Sequence, residues 1–465
     1  MTLTQFRSPQ LLHVHSGKVR ESFRIDASTR LIVTTDRVSA FDRVLDTPIP
    51  DKGVVLNELS AFWFGKTADI VENHFITSVD SQAMLVREVL PIRVELIVRG
   101  YLTGSMWRQY AQGVRRFSGV SVPDGLARNA RFAEPLLTPT TKEESDREIT
   151  PQEIVASGLV SGDLSSQMET AALKLFASGT EFLRDRGVLL VDTKYEFGVL
   201  EGRLILIDEI HTPDSSRFWR ADSYEADPAH PFNLDKEYIR AFLLEQKAAA
   251  GVTTSLPAEV VDEARARYGR IYELTVGSPP PRSAVPPEHR LYHNLVAHGI
   301  IRDGFVAVVM GSPKDADHAR RLASVLEGYG VSVDLRVVSA HKNPEDVAKV
   351  LAHYADSAEP GAIIAVAGMS NGLGGALAGS TTLPVINCPP FKDGVDLQTN
   401  VNSSLMMPSG VPAATVISPQ NAAMAALRSL NLPRLKHVFQ EEIAATKATL
   451  RESDNSIRHD RKASA

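Results

Sequence analysis

The hydrophobic pattern divides the chain into two parts of different kinds. Beyond residue 303, apolar runs alternate with helix-like segments, which predicts βαβ units and a parallel sheet covered by helices on both faces. The predicted strands cover residues 305–310, 331–338, 362–367, 384–387 and 413–417. The predicted helices cover 315–328, 344–355, 371–379, 419–430 and 434–452, with a disordered tail at 453–465. This pattern indicates a three-layer α/β/α domain of flavodoxin-like or Rossmann-like type.

The first part mixes strands and helices without regular alternation. Strand-like runs occupy residues 11–46, 83–99 and 188–207, and helix-like segments occupy 54–76, 165–186, 234–249 and 257–273. Residues 278–287 contain five prolines, which predicts an extended linker. We therefore expect an α/β protein overall, in four segments: an α+β domain at 1–276, a linker at 277–302, the parallel-sheet domain at 303–432, and a C-terminal helix and tail at 433–465.

A hairpin at residues 188–207 carries the most unusual charge pattern. Asp192, Lys194 and Glu196 alternate along its first strand, so they share one face. A three-residue loop, Glu201 to Arg203, would place Glu196 opposite Asp208. Two carboxylates facing each other on neighbouring strands are unfavourable unless a cation such as Mg²⁺ lies between them. The alternative is a solvated face with a Lys–Glu pair.

Other charged residues follow predicted strands or lie in turns. The turn S-G-K-V-R places Gly17, Lys18 and Arg20 where they could meet nucleotide phosphates, although an ordinary hairpin turn explains the same residues. Arg99 ends an apolar run and is followed by glycines and Ser105, which suits a phosphate or carboxylate clamp. In the parallel-sheet domain, three loops rich in small residues follow the strands, at 311–315, 339–344 and 367–374. They predict a phosphate site at the carboxyl edge of the sheet.

Composition narrows the possible partners. Of the residues, 43% are hydrophobic and 23% are charged, and the net charge is −6, which gives no electrostatic case for nucleic acid as a partner. The most apolar long segment, 361–379, contains six glycines and is not expected to cross a membrane. A single cysteine, Cys388, excludes an intrachain disulfide framework and fits a cytoplasmic protein.

The motifs of the first part together resemble the phosphoribosylaminoimidazole-succinocarboxamide (SAICAR) synthetase family of purine biosynthesis. They are G-K-V-R (17–20), T-D-R-V-S-A-F-D (35–42), I-V-R-G-Y-L-T-G-S (97–105), D-T-K-Y-E-F-G (192–198) and D-E-I-H-T-P-D-S-S-R-F-W (208–219). The three loops of the second part, with L-P-V-I-N-C-P-P, resemble the phosphoribosylaminoimidazole (AIR) carboxylase family. The chain is thus similar to a bifunctional enzyme with an ATP-grasp-like first domain.

The resemblance implies roles for the residues in the first domain. This domain would ligate the carboxylated nucleotide CAIR to L-aspartate with ATP and Mg²⁺. The metal ligands would be Glu196 and Asp208, and the catalytic residues Asp192 and Lys194. The remaining site residues would be Gly17, Lys18 and Arg20 for ATP, and Arg99, Ser105 and Arg217 for CAIR.

The resemblance also implies the chemistry of the second domain. It would carboxylate AIR with CO2, without biotin, and His341 would be the general acid/base because its pKa is ordinarily near neutrality. The AIR-binding residues would be Gly311, Ser312, Asp315, Ser339, Ala340, Lys342, Gly368, Ser370, Asn371 and Gly372. Lys342 after His341, and the sequence S-N-G in the third loop, favour the CO2-using class over the N5-CAIR mutase class. A mutase, or an inactive oligomerisation scaffold, remains the alternative. By the same resemblance we expect a homo-octamer.

Overall fold

The computed structural model describes residues 1–41, 43–142, 147–250 and 254–463, and the side chains of 247–250 and 460–463 are not considered. Asp42, the last residue of the second motif, therefore lies outside the described residues. The chain forms two compact units. The N-terminal unit comprises Met1–Phe6 and Leu12–Asn294, and the C-terminal unit comprises Arg7–Leu11 and the chain from Leu295 onwards.

The N-terminal unit is built on two antiparallel five-stranded sheets. Its strands are β1 (Leu12–Ser16), β2 (Arg20–Arg24), β3 (Thr29–Thr34), β4 (Ser39–Ala40), β5 (Arg43–Val44), β6 (Phe75–Asp80), β7 (Ala83–Arg87), β8 (Leu90–Tyr101), β9 (Arg116–Phe117), β10 (Val120–Ser121), β11 (Arg131–Thr141), β12 (Val188–Leu200), β13 (Arg203–Ile207) and β14 (Ser216–Arg220). Its helices are α1 (Lys52–Lys66), α2 (Gly104–Ala111), α3 (Pro151–Ala156), α4 (Gly162–Arg184), α5 (Ala221–Ala226), α6 (Glu237–Ala250) and α7 (Ala258–Val276), and α8 (Pro287–Ala297) follows.

Strand β12 is the centre of the second sheet. It pairs with β8 along one side, while β14 and then β13 pair with its two halves on the other side. Trp63 of α1 and Phe176 of α4 are buried in the same core cluster as Tyr195 and Phe197 of this strand. Because successive side chains point to opposite faces of a strand, burying these aromatic residues turns Asp192, Lys194 and Glu196 to the other face.

The hairpin loop between β12 and β13 differs from the expectation. Leu200 pairs with Arg203, so the loop has two residues, Glu201 and Gly202, with φ of 52° and 78°. Positive φ at both positions is the type I′ geometry, whose twist matches that of the flanking strands. Glu196 consequently pairs with Ile207, and the expected pairing of Glu196 with Asp208 is wrong.

The C-terminal unit has the expected parallel sheet, with β15 in the middle of the order β16-β15-β17-β18-β19. The strands are β15 (Phe305–Met310), β16 (Ser332–Val337), β17 (Gly361–Val366), β18 (Val385–Asn387) and β19 (Ala414–Thr415). The α-helices are α9 (Ala316–Gly328), α10 (Glu345–Ala352), α11 (Gly372–Ala378), α12 (Gly394–Leu405), α13 (Pro419–Ser429) and α14 (Pro433–Ala463).

The two faces of this sheet are covered by different helices. Val306 and Val308 of β15 pack in a cluster with Leu322 of α9 and Leu427 of α13. Ala307 and its neighbours at odd positions of β15 pack in a second cluster with residues of α10 and α11. The predicted three-layer α/β/α arrangement is therefore confirmed.

Several segments differ from the sequence expectation. The helix predicted at 54–76 ends at Lys66 as α1, and residues 75–76 begin β6. Helix α8 occupies part of the stretch predicted as a linker. Helix α12 was missed because seven of its twelve residues are Gly, Asp, Thr, Asn or Ser, which have low helix propensity. It begins where the Asp393 side chain accepts hydrogen bonds from the backbone N–H groups of Val395 and Asp396. Helix α14 continues through most of the tail that was expected to be disordered, with an i,i+4 pair between Asp454 and Arg458 near its end. In the described part of the chain, no helix combines the length and the apolar character needed to span a bilayer.

Candidate functional site

Two adjoining cavities lie on the polar face of the β8–β12 strand pair. The larger has a volume of about 750 Å³ and includes the β1–β2 turn in its wall. The smaller has a volume of about 410 Å³ and includes the segment from Pro213 to Arg217. Six charged residues line both cavities: Lys18, Glu95, Lys194, Asp214, Lys236 and Arg240. A ligand in one cavity can therefore meet a ligand in the other.

The alternating residues of β12 face these cavities as predicted. Asp192 lines the smaller cavity, Glu196 lines the larger one, and Lys194 lines both. The carboxylate directly across the ladder from Glu196 is Glu95 of β8. Two carboxylates this close repel each other unless a cation lies between them. The Lys194 ammonium group is that cation, at 2.9 Å from the Glu95 carboxylate and 2.5 Å from the Glu196 carboxylate.

Lys194 is the electrostatic centre of the group. Its ammonium also lies 3.9 Å from Asp208 Oδ2. Burial alone would lower the pKa of Lys194, but the three surrounding carboxylates outweigh that effect and raise it well above its usual value. The Lys–Glu pair of the alternative interpretation does exist, but Glu196 is only 4% exposed, so its carboxylate is shielded from bulk solvent.

The two predicted metal ligands are held by basic side chains. Glu196 accepts hydrogen bonds from Lys142 and Lys194, and Asp208 Oδ1 lies 3.0 Å from Arg20. Within the described ranges, no three His, Cys, Asp or Glu side chains form a ligand set. Two carboxylates beside a nucleotide cleft nevertheless fit Mg²⁺, which commonly takes one or two protein carboxylates and completes its shell with phosphate oxygens and water.

The β1–β2 turn is fixed from both sides. The Gly17 N–H donates to the Arg20 carbonyl at 2.7 Å, and Arg37 donates to the carbonyls of Gly17 and Lys18. The Arg20 guanidinium lies 2.7 Å from Glu209. Burial would lower the pKa of Arg20, but Glu209 and Asp208 raise it. Arg20 is thus already paired with carboxylates at the wall of the larger cavity.

The residues predicted to bind CAIR lie together at the other end of β12. Asp192 Oδ2 lies 2.7 Å from Arg217 and 3.6 Å from Arg99. A Cβ at Gly104 would come within 2.5 Å of the Arg217 guanidinium, so only glycine leaves room for it. Ser105, in the first turn of α2, lines the same cavity. Two guanidinium groups and a hydroxyl group converge here, as a phosphate or carboxylate ligand requires.

A buried charge cluster at the junction of the cavities was not among the predicted site residues. Asp214 accepts hydrogen bonds from Lys52 at 2.8 Å and Tyr268 at 2.7 Å, and Lys236 lies 3.6 Å away. Burial would raise the pKa of Asp214, but Lys236 and Lys52 lower it well below its usual range. Burial lowers the pKa of Lys236. A lysine directly before the apolar sequence of α1 was the only local signal of this cluster among the described residues.

In the C-terminal unit, the three predicted loops emerge at one edge because β15, β16 and β17 are parallel. A Cβ on Gly311 would touch the Ala367 methyl group at 3.4 Å, so the first and third loops are in contact. A Cβ on Gly372 would lie 2.8 Å from Cε1 of His341, so the second loop also reaches the third. The imidazole of His341 therefore lies against the start of α11.

The remaining predicted residues divide between the edge and the interior. Ser312 and Ser339 accept backbone N–H groups from their own loops, Ser339 from both His341 and Lys342. The Asn371 side chain is 4% exposed and is engaged with Gly374 N and Ser404 Oγ, so it caps α11. Three others lie in the same loops: Ala340 is half-buried, Ser370 accepts the Gly372 N–H, and Gly368 lies against Asn400. Burial raises the pKa of Asp315.

Comparison with known proteins agrees with this division. Residues 13–255 match the family model of SAICAR synthetase, over more than half of the chain. The chain belongs to the SAICAR synthetase family. Residues 305–453 match the family model of AIR carboxylase. The predicted combination of the two domains in one polypeptide is confirmed.

Individual relatives support the first match. The phosphoribosylaminoimidazole-succinocarboxamide synthase of Legionella pneumophila (strain Paris) is 40% identical over 294 residues, covering 60% of this chain and 94% of that protein. The enzyme of the same name from Saccharomyces cerevisiae is 36% identical over 292 residues, covering 57% and 94%. A structure of SAICAR synthase from Saccharomyces cerevisiae in complex with SAICAR matches with a TM-score of 0.54 and 34% identity, covering 60% of this chain and 99% of that one.

Both domains thus belong to enzyme families of purine biosynthesis, and the chain is an enzyme. SAICAR synthetases use ATP. The larger cavity, whose wall combines the glycine turn, four lysines and apolar side chains such as Ile32 and Val86, has the mixed character of a nucleotide site.

Proposed function

We propose that this chain catalyses two consecutive reactions of purine biosynthesis. The domain at 303–432 carboxylates AIR to CAIR, and the domain at 1–276 then joins CAIR to L-aspartate with ATP, giving SAICAR, ADP and phosphate; residues 277–302 connect them. The observation that carries the ligase proposal is the pair of adjoining cavities. Their shared wall of lysines and carboxylates brings a nucleotide phosphate and a second anionic substrate together.

The ligase needs an activated carboxylate. An oxygen of the CAIR carboxylate attacks the γ-phosphorus of ATP, ADP leaves, and the aspartate amine then displaces phosphate from the acyl carbon and loses a proton. This step brings anionic groups into contact, so positive charge must surround them. Lys18 and Lys194 lie at the junction of the cavities, where the transferred phosphoryl group would pass. Gly17 and Arg20 complete the ATP-binding turn.

Glu196 and Asp208 would hold Mg²⁺, which would neutralise phosphate charge when bound. Basic side chains already contact both carboxylates at this position, Lys194 on Glu196 and Arg20 on Asp208. The Asp208→Asn variant tests the assignment. We expect it to require a higher Mg²⁺ concentration for half-maximal ATP turnover, and an unchanged Mg²⁺ titration would contradict it.

Arg99, Ser105 and Arg217 would hold CAIR through its phosphate and carboxylate groups. Asp192 lies near the acyl centre in this arrangement and orients both arginines, since one of its oxygens contacts both. In the full-length chain supplied with CAIR, ATP and aspartate, Asp192→Asn should lower the rate of SAICAR formation by at least tenfold, because the charge that fixes the guanidinium groups is lost. A wild-type rate would refute the role of Asp192.

For the carboxylase, the electron-rich imidazole carbon of AIR forms a bond to CO2 and then loses its proton. His341 accepts that proton, and its contact with Gly372 supports its placement in the site. The AIR phosphate would lie against Ser312, Ser339 and the backbone of 368–372, with Gly311, Asp315, Ala340 and Lys342 around it. Asn371 contributes through its backbone, because its side chain caps α11.

We assign the CO2-using reaction, without biotin, because Lys342 follows His341 and Ser370-Asn371-Gly372 occupies the third loop. The competing reaction is the mutase conversion of N5-CAIR. An assay of the full-length chain with AIR and bicarbonate but no ATP distinguishes them. CAIR formation above the uncatalysed rate supports the carboxylase, and turnover of N5-CAIR alone supports the mutase.

We also propose a homo-oligomer, an octamer through the carboxylase domain. Helix α14 supports self-association, because Ile443, Leu450 and Ile457 recur every seven residues and are 43%, 65% and 64% exposed. Heptad spacing is what a helix partner requires. In a parallel pair, Glu442 of one copy would face Lys447 of the next. A cytoplasmic location is proposed from the use of a single, buried cysteine.

A further inference from the structure

A third cavity in the N-terminal unit takes no part in the reactions proposed above. It has a volume of about 470 Å³ and lies among α2, the loop at 128–129, the segment 229–233 and α6. It shares Arg217 with the smaller cavity, so this side chain separates the two spaces. Its size lies within the range of small-molecule sites.

The charge of this cavity is positive. Arg108, Arg128 and Arg217 line it, and the one carboxylate in the wall, Glu237, is already engaged with Arg217 and Arg240. Arg108 and Arg128 are exposed and make no hydrogen bond or ion pair with any residue in the described ranges. Two uncommitted guanidinium groups at one opening form a binding site for a phosphate group.

The wall also offers a flat aromatic surface. Trp107 is half-buried and stacks on Tyr110 with ring centroids 5.9 Å apart and an interplanar angle of 24°. Trp219 is fixed by its indole N–H, which donates to Asn233 at 2.8 Å. Aromatic side chains held in this way stack on planar ring systems such as nucleobases.

Asn129 forms part of the cavity wall and is fixed there by hydrogen bonds. Asn129 is 2% exposed, and its Nδ2 donates to the carbonyls of Pro228 at 3.0 Å and Ala229 at 3.2 Å. These two bonds fix which side-chain atom is the oxygen. Oδ1 is buried and accepts no hydrogen bond from any described residue. Because Oδ1 is shielded from the cavity, Asn129 shapes the wall and does not itself contact a ligand.

We propose that this cavity binds a purine nucleoside monophosphate. Arg108 and Arg128 hold the phosphate, and the base stacks on Trp107. This binding does not depend on the proposed reactions, because none of these three residues belongs to the two cavities of the ligase site.

Tryptophan fluorescence of the full-length protein tests the proposal directly. The chain has three tryptophans, two of which, Trp107 and Trp219, line this cavity, while Trp63 is buried in the core. We expect AMP to quench the emission, and Trp107→Phe to remove most of that quench. Ribose 5-phosphate and inorganic phosphate should bind at least about tenfold more weakly than AMP, because they lack the base.

Variants identify which cavity is responsible for the fluorescence change on AMP binding. The double variant Arg108→Ala, Arg128→Ala should weaken AMP binding by at least about tenfold, since charge-assisted contacts are lost. Arg116→Ala, an exposed arginine on β9, is the matched control and should bind AMP like the wild type; circular dichroism confirms that each variant is folded. Lys18→Ala, in the larger cavity, should keep the quench.

Three results would overturn the proposal. One is loss of AMP binding in Lys18→Ala with retention in the double variant, which would place AMP only in the larger cavity. A second is equal binding of inorganic phosphate and AMP, which would reduce the site to an anion site. The third is a fluorescence quench caused by L-aspartate and not by AMP. If the double arginine variant abolished that quench, the cavity would bind L-aspartate instead of a nucleotide.

Discussion

Replacing Gly372 with alanine tests the carboxylase site through a contact of known geometry. The added Cβ would lie 2.8 Å from Cε1 and 2.9 Å from Nε2 of His341. Non-bonded carbon atoms prefer about 3.5–4.0 Å, so the imidazole must move by roughly 0.7–1 Å. A displacement of about 1 Å can cost on the order of 10²-fold in rate. We therefore expect Gly372→Ala to lower kcat for CAIR formation by about 100-fold.

The assay follows CAIR formed from AIR and bicarbonate by the full-length chain. Gly375→Ala is the control, because it lies in the same helix and its Cβ would meet only the flexible Met407 side chain, at 3.3 Å. SAICAR formation from supplied CAIR should stay at the wild-type rate in both variants. A Gly372→Ala carboxylase rate within about threefold of the wild type would refute the placement of His341 at the reacting carbon.

Three further predictions concern stability and assembly. Lys52→Met leaves the buried Asp214 carboxylate without its closest cation and should lower the unfolding free energy of the N-terminal unit by about 3–5 kcal/mol. The control Lys66→Met, at the exposed end of the same helix, should lower it by less than about 1 kcal/mol. Urea unfolding followed by tryptophan fluorescence measures both losses, and equal losses would contradict the buried pair. Burial lowers the pKa of His74 to about 3, so between about pH 6.5 and pH 3 this imidazole binds a proton only in the unfolded chain. The unfolding free energy should therefore fall by about 1.4 kcal/mol for each pH unit below 6.5. Urea titrations at pH 7.5 and 5.5 should show that His74→Phe removes this contribution, and an unchanged pH dependence in the variant would refute it. Leu450→Glu with Ile457→Glu should reduce the mass measured by light scattering, whereas an unchanged mass would exclude α14 from the assembly.

The sequence predicted the structure best where a regular spacing of apolar residues determines which side chains are buried. Alternation along β12 placed Asp192, Lys194 and Glu196 on one face, and the apolar neighbours that point the other way are buried with α1 and α4. The parallel sheet was predictable for a similar reason, since strands buried on both faces are continuously apolar. The carboxyl-edge loops followed from that topology.

Pairings between distant segments could not be predicted from local pattern. Glu95 faces Glu196 only because β8 pairs with β12 in a particular register, and the turn of two residues shifts Asp208 beyond the end of the ladder. Lys52 and Asp214 are 162 positions apart, and nothing in either segment indicates the other. Helix α12 was missed because capping by Asp393 compensates for weak helix propensity. Helix α14 was predicted at 434–452, but its continuation through the tail, where Asp454 pairs with Arg458, was not.

The central claim is that one chain carries two separate active sites acting in sequence. The direct measurement follows SAICAR formation from AIR, bicarbonate, ATP and L-aspartate by two variants, His341→Asn and Asp192→Asn, assayed alone and mixed. We predict that His341→Asn forms SAICAR only when CAIR is supplied, that Asp192→Asn accumulates CAIR, and that the mixture restores SAICAR formation from AIR. SAICAR formation from AIR at the wild-type rate by either variant alone would contradict the account.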